Sequence, residues 1–155
     1  MTKKEPIVLY TDGAASGNPG PGGYGAVLLC GGLRKELSGG FALTTNNRME
    51  LLAVIKGLEA IKWDRATVHV YSDSTYVVKS VEEGWLDSWI AKDWKKTKNT
   101  DLWQRFVPLR ERHELHFHWV KGHADNPENE RCDRLAVAAR EQSGLPADPG
   151  YEKLL

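Results

Sequence analysis

The chain has 155 residues, 41% hydrophobic and 27% charged, which suits one domain with a real core and excludes a disordered chain. Basic and acidic residues balance at 21 each, so bulk positive charge alone cannot bind nucleic acid; separate acidic and basic patches remain open. Cys30 and Cys132 are too few for a disulfide scaffold and form no Cys-x-x-Cys zinc pair, so they read as reduced thiols. The polar start Met1–Pro6 precedes no signal-like apolar block, and no run approaches a membrane span, so a cytoplasmic, soluble protein is expected.

Ile7–Gly13 opens with four apolar residues and reads as a central strand buried on both faces, with Asp12 at its end. A carboxylate there loses several kcal/mol of solvation unless something positive compensates it. The glycine- and proline-rich stretch 13–23 reads as a tight connection. Tyr24–Cys30, the Gly31-Gly32 turn and Leu33–Phe41 complete an antiparallel meander of three strands. Thr44-Thr45-Asn46-Asn47 starts a helix to about Trp63, capped at Thr44 or by an Asn47–Glu50 capping box. Leu51, Leu52, Ile55, Leu58 and Ile61 form its apolar face.

Thr67–Ser72 is the next strand, and a right-handed crossover places it parallel to the first. Asp73 lies at its carboxyl end, and Ser74 caps a helix over Thr75–Glu82. In Trp85–Lys98, tryptophans alternate with Lys92, Lys95, Lys96 and Lys98, against Asp93 alone among residues 92–98. Thr100 or Asp101 caps a helix to about Arg112, which Pro108 should kink or end. Glu114–Val120 is a fifth strand, with Leu115, Phe117 and Trp119 on one side and His116 and His118 on the other. Asn126-Pro127 starts a last helix to about Gln142, with Cys132, Leu135, Ala136 and Ala139 inward, and residues 143–155 read as a loose tail. The order predicts a single α/β domain over 1–155: a five-stranded mixed sheet, first three strands antiparallel and the rest parallel, flanked by helices.

This topology brings Asp12 and Asp73 to the carboxyl edge of adjacent strands, where open α/β sheets place ligands. Glu50, opening the connecting helix, and Asp133, in the second turn of the last helix, can reach the same edge. Converging carboxylates repel and are pushed towards protonation. Magnesium suits carboxylate oxygens, retained waters and substrate phosphates, and two ions about 4 Å apart can clamp the attacking and leaving oxygens of a phosphodiester. Each residue also has a plain structural reading: Asp12 as a turn residue, Asp73 at a helix start, Glu50 in a capping box, Asp133 as a surface partner of Arg134 or Arg140. The required convergence, not any single residue, favours the metal site.

Several motifs carry a resemblance. Tyr10-Thr11-Asp12-Gly13, Gly17–Gly25, Thr45–Leu51, Ser72-Asp73-Ser74-x-Tyr76-Val77, Trp119–Ala124 and Asn126–Asp133 resemble, in order and across essentially the whole chain, bacterial-type ribonuclease H of type 1. The resemblance implies the ribonuclease H-like fold and a monomeric endoribonuclease. Such an enzyme hydrolyses the RNA strand of RNA/DNA hybrids to 5′-phosphate and 3′-hydroxyl ends, removing RNA during replication and repair. It implies Asp12, Glu50, Asp73 and Asp133 as ligands of two Mg2+ ions, with Mn2+ a possible substitute. It implies His123 as a mobile histidine for proton transfer or product departure, a task its near-neutral reference pKa suits, and an auxiliary Glu130 near the metals. His69, His113, His116 and His118 read as structural or exposed.

By the same resemblance, Asn18, Asn46 and Asn47 meet the hybrid's minor groove; Thr45 and Arg48, near a helix N-terminus, are expected to meet phosphate. Trp85 and Trp103 are implied as DNA-side contacts, and Lys92, Lys95, Lys96 and Lys98, followed by Asn99, as a basic handle; taken alone, each tryptophan reads as core and the lysine run as a solvated face. Two departures stand out. The segment between Trp94 and Asn99 is shorter than in well-known bacterial members, which predicts altered hybrid affinity. Thr75 stands where glutamine is frequent, so a glutamine contact does not carry over. A non-catalytic hybrid-binding module and a transposase or integrase core are the rival readings; four intact carboxylates oppose the first, and the loop of His123 opposes the second.

Overall fold

The first strand holds two half-sheets of opposite sense together. In the computed structural model, which describes residues 5–122 and 126–152, the strands run in the order β3-β2-β1-β4-β5. They are β1 (Ile7–Ala15), β2 (Gly20–Cys30), β3 (Leu33–Thr44), β4 (Thr67–Ser72) and β5 (Glu114–Trp119). The helices are α1 (Asn46–Glu59), α2 (Thr75–Glu82), α3 (Trp85–Ala91), α4 (Thr100–Arg112), α5 (Pro127–Arg140) and α6 (Pro149–Glu152). β1 pairs antiparallel with β2, β2 antiparallel with β3, β1 parallel with β4 and β4 parallel with β5, as the sequence predicts. No helix of the described residues is long and apolar enough to cross a membrane.

One face of the sheet carries the core. Leu9, Val68, Val70 and Phe117 alternate with half-buried or exposed neighbours, and Met49, Leu52, Ile55 and Leu58 of α1 pack among them. Leu86, Trp103 and Phe106 extend this core beneath α3 and α4. Each such side chain contributes about 1.5–3 kcal/mol when fully buried. On the opposite face α5 packs against β1, β2 and β3. Gly25 makes that contact close, because a Cβ there would fall 2.4 Å from the carbonyl oxygen of Cys132. Any side chain at Gly25 would therefore push the helix carrying Asp133 off the sheet.

Several details differ from expectation. β1 and β2 run deep into the glycine-rich stretch, because their mutual pairing continues to Ala15↔Gly22. Thr45 caps α1, its hydroxyl accepting from the Arg48 amide at 3.3 Å, and the helix ends at Glu59. Asn99, in a left-handed conformation, precedes α4, which runs unbroken through Pro108. Pro108 and Gln104 both face solvent, so the carbonyl that loses its partner can turn towards water. α5 ends at Arg140. The tail is not loose through residue 152: the Ala42 amide donates to the Pro146 carbonyl at 2.8 Å, α6 follows, and Asp148 is buried.

Candidate active site

The acidic edge forms where β1 parts from β4. The parallel ladder stops at Tyr10↔Tyr71, after which β1 continues with β2 alone. Thr11 holds the fork, its hydroxyl donating to the Tyr71 carbonyl at 3.0 Å. Asp12 therefore stands within β1, not at its end, but just past the end of its ladder with β4. Gly13 follows, and a Cβ there would fall 2.3 Å from the carbonyl carbon of Met49, so only glycine lets the first turns of α1 bring Glu50 close. Asp73 comes directly after β4.

Asp12, Glu50 and Asp73 each offer an oxygen, and these lie within 4.8 Å of one another. Asp12 is buried, and its Oδ1 accepts from the Gly13 amide at 2.9 Å. Glu50 Oε1 and Asp73 Oδ1 are buried without a hydrogen-bond partner among the described residues. Burial, reinforced by the Asp73 charge, pushes the Asp12 carboxyl up to about 7. Burial, followed by the charges of Asp12 and Asp73, pushes Glu50 well above the carboxylate range. Asp133, on α5, is not one of the three gathered carboxylates, but its charge acts on Asp12 in the same sense. Inward oxygens without donors fit a hard divalent cation, which binds through oxygen.

A second feature flanks this edge. A cavity of about 360 Å3 is lined by Asn18, Thr45, Asn47, Lys98, Asn99 and Tyr151. Five of the expected substrate contacts, Asn18, Thr45, Asn47, Lys98 and Asn99, thus share one concave surface. Asn18 Oδ1 accepts from the Asn46 amide at 3.1 Å, and Asn46 Oδ1 accepts from the Ala15 amide at 2.6 Å, which ties both side chains to the end of β1. Asn99 Nδ2 donates to the Tyr76 hydroxyl at 3.1 Å. Lys95 and Lys96 are exposed beside this region, on turns after α3, and Trp85 is exposed at the start of α3.

Two expected contacts are corrected. Trp103 is fully buried, its Nε1 donating to the Tyr76 hydroxyl at 2.8 Å and its ring packed on Trp89 and Phe106, so it presents no face to nucleic acid. Arg48 is also buried. Its Nε donates to Asp148 at 2.7 Å, its two terminal nitrogens donate to Asp101 at 2.8 and 2.7 Å, and Nη1 lies 3.4 Å from Asn99 Oδ1. With Nη2 also donating to Asp148 Oδ1 at 3.0 Å, all five donors are spent on Asp148, Asp101 and Asn99, and none is left over for phosphate. His123 lies outside the described residues. Sequence reasoning missed Tyr151, which only the anchored tail brings to the cavity, and Trp119, whose Nε1 donates to the Asp73 carbonyl at 3.1 Å. The alternation of β5 placed Trp119 on a face but gave no sign of that bond.

Sheet order and acidic edge together define a class: an α/β protein that gathers carboxylates for a divalent cation at the fork between an antiparallel and a parallel half-sheet. The comparisons make the class specific. The sequence model of the RNase H family matches residues 4–141. A ribonuclease H of Desulforamulus reducens is 57% identical over 152 residues, covering 95% of each chain. One of Syntrophus aciditrophicus is 57% identical over 150 residues, covering 94% of this chain and 86% of that protein. The crystal structure of LC9-RNase H1, a type 1 RNase H with the type 2 active-site motif, superposes with a TM-score of 0.80 at 33% identity, covering 99% of this chain and 82% of that one. LC11-RNase H1, solved in complex with an RNA/DNA hybrid, superposes with a TM-score of 0.63 at 26% identity, covering 87% of this chain and 96% of that one. The chain belongs to the ribonuclease H family, type 1, and is a hydrolase of that family.

Proposed function

We propose that this protein hydrolyses the RNA strand of RNA/DNA hybrids by two-metal-ion catalysis, leaving 5′-phosphate and 3′-hydroxyl ends, and so removes RNA from hybrids during replication and repair. One observation carries the reading: Asp12, Glu50 and Asp73 converge within 4.8 Å while Glu50 and Asp73 keep buried, unpartnered oxygens. Mg2+, with Mn2+ as a substitute, would supply charge neutralisation at the scissile phosphate and at the attacking and leaving oxygens.

The remaining work falls to the protein. Asp12, fixed by the Gly13 amide and the Thr11 fork, would hold the central ligand oxygen; Glu50, Asp73 and Asp133 would complete the set. Asn18, Asn46 and Asn47 would read the minor groove, where a 2′-hydroxyl distinguishes the RNA strand. Thr45, Lys98 and Asn99 line the cavity beside them and would position the backbone. Lys95 and Lys96 would add charge, and Trp85 would pack against a sugar of the DNA strand. His123 would move a proton or help product leave. The protein is taken to act as a cytoplasmic monomer.

A labelled hybrid incubated with Mg2+ tests the proposal. Wild-type protein should cut the RNA strand only, and Asp12→Asn should lower the rate by at least ~10³-fold, the scale seen when a member of a catalytic unit is removed. Undiminished cutting by Asp12→Asn, or equal cutting of duplex DNA, would refute it.

A further inference from the structure

Three histidines stand together on the sheet face that α5 leaves to β4 and β5. His116 and His118 are two residues apart on β5 and so point to the same face. His69 lies opposite His116 in the parallel register of β4 and β5. His69 Nδ1 and His118 Nε2 are 2.9 Å apart. The His69 ring is 4.9 Å from the His116 ring and 5.2 Å from the His118 ring. His69 and His118 are half-buried, whereas the His116 side chain is 45% exposed and bonded to Glu114 at 2.7 Å.

We propose that His69, His116 and His118 form a binding site for a transition-metal ion of the zinc type, separate from the acidic edge. Imidazole nitrogen suits such ions, whereas magnesium and calcium prefer oxygen. Two nitrogens on one tetrahedral zinc, each at about 2.0–2.1 Å, sit roughly 3.3 Å apart. To accept the ion in place of its bridging hydrogen, the His69–His118 pair must open by a few tenths of an ångström from 2.9 Å, and both rings must tilt so that their lone pairs converge on it. Each imidazole binds in its neutral form and keeps its remaining proton on the other ring nitrogen. His116 turns from Glu114 to give the third ligand, and water fills the open position. Burial, followed by the neighbouring His116 and His118, lowers the His69 pKa and favours the neutral ring that a metal requires.

Zn2+ alone is the probe, titrated into the full chain against a competing chromogenic chelator with saturating Mg2+ present to occupy the acidic edge. One equivalent should bind. His118→Gln should weaken it about 10–100-fold, at least the cost of losing an outer-shell partner. The His69→Gln, His118→Gln double variant should abolish it. An unchanged affinity in the double variant, or loss of the equivalent in Cys30→Ser instead, would overturn the proposal. Imidazole resonances of the wild type give a readout that depends on no variant. Substoichiometric Zn2+ should shift those of His69, His116 and His118 before those of His113 and His123, and the reverse order would also overturn it.

Discussion

Two buried charge clusters flank the same end of α1 and resolve the same problem in opposite ways. At the junction behind the helix, Arg48 lies between Asp148, which is buried, and Asp101, which is 46% exposed. The chain supplies its own cation there, and its donors meet carboxylate oxygens or Asn99. At the edge in front of the helix, Asp12, Glu50 and Asp73 gather, and none of them makes an ion pair with a lysine or arginine among the described residues. A fold able to bury one arginine for the sake of two aspartates does not leave three carboxylates bare for want of cationic residues. An arginine at the edge would occupy the space that a cation from solution, and then a phosphodiester, would need. Charge that is fully paired within the chain serves the fold; charge left without a counterion marks the place for a ligand.

Removing the internal cation is the harshest way to break this contrast. Arg48→Ala leaves Asp148 buried and unpaired, and loss of one partner of a buried pair costs about 3–5 kcal/mol. Thermal unfolding should shift down by roughly 10 °C for a domain of this size. The same substitution frees the tail segment and removes the guanidinium beside Asn99, so the KM for hybrid should rise more than kcat falls. An unfolding temperature within about 2 °C of wild type would show that Asp148 relaxes into water and that the junction contributes little.

The acidic edge should respond in the opposite sense. The Asp12 carboxyl is held at about 7 in the fold against an ordinary value of 3.8. A raised carboxylate binds its proton more tightly folded than unfolded, so without metal the stability contributed by Asp12 should be fully present below about pH 4. That contribution should be lost as pH rises from about 4 to about 7, by a few kcal/mol in all. Glu50, shifted the same way, adds to this slope. Saturating Mg2+ should flatten it, because the ion binds only the folded, ionised edge. Asp12→Asn should raise the metal-free unfolding temperature at pH 7 while abolishing cleavage. Denaturant unfolding with chelator and with Mg2+, between pH 4 and pH 8, checks the sign, and metal-free stability that rises with pH would contradict it.

The two clusters were unequally legible in the sequence. The acidic edge could be found because each carboxylate is tied to a local signal: Asp12 and Asp73 follow β-branched or apolar strands, and Glu50 opens a helix. Chain connectivity then brings them together. The junction carried no such signal. Arg48 sits near a helix N-terminus, where phosphate binding is the ordinary expectation, and its true partner Asp148 lies in a proline- and glycine-rich stretch that reads as solvated tail. Only tertiary packing joins them. Trp103 was misplaced for a different reason. The family resemblance implied a DNA-side contact, but Leu102, Trp103, Phe106 and Leu109 recur at helical spacing and form one buried stripe of α4. That period was the better guide. Likewise the histidines of β4 and β5 were readable as sharing a strand face, but not as touching, because cross-strand register is fixed by pairing and not by composition.

The finest test separates the two aspartates of the junction. Both contact the same guanidinium, and Asp101 accepts from both of its terminal nitrogens. Hydrogen bonding to Arg48 lowers the Asp101 pKa. Its side chain is nevertheless 46% exposed, against 7% for Asp148, so water screens it and can replace what is lost. Exposed pairs are worth about 0–1 kcal/mol, so Asp101→Asn should move the unfolding temperature by no more than about 4 °C. Asp148→Asn should cost more, because it leaves the buried guanidinium short of its buried counter-charge. Cleavage by Asp101→Asn should match wild type, since Asp148 alone still holds Arg48 against Asn99. Equal losses for the two variants would mean that burial does not set the strength of this junction, and the contrast with the acidic edge would then rest on charge count alone.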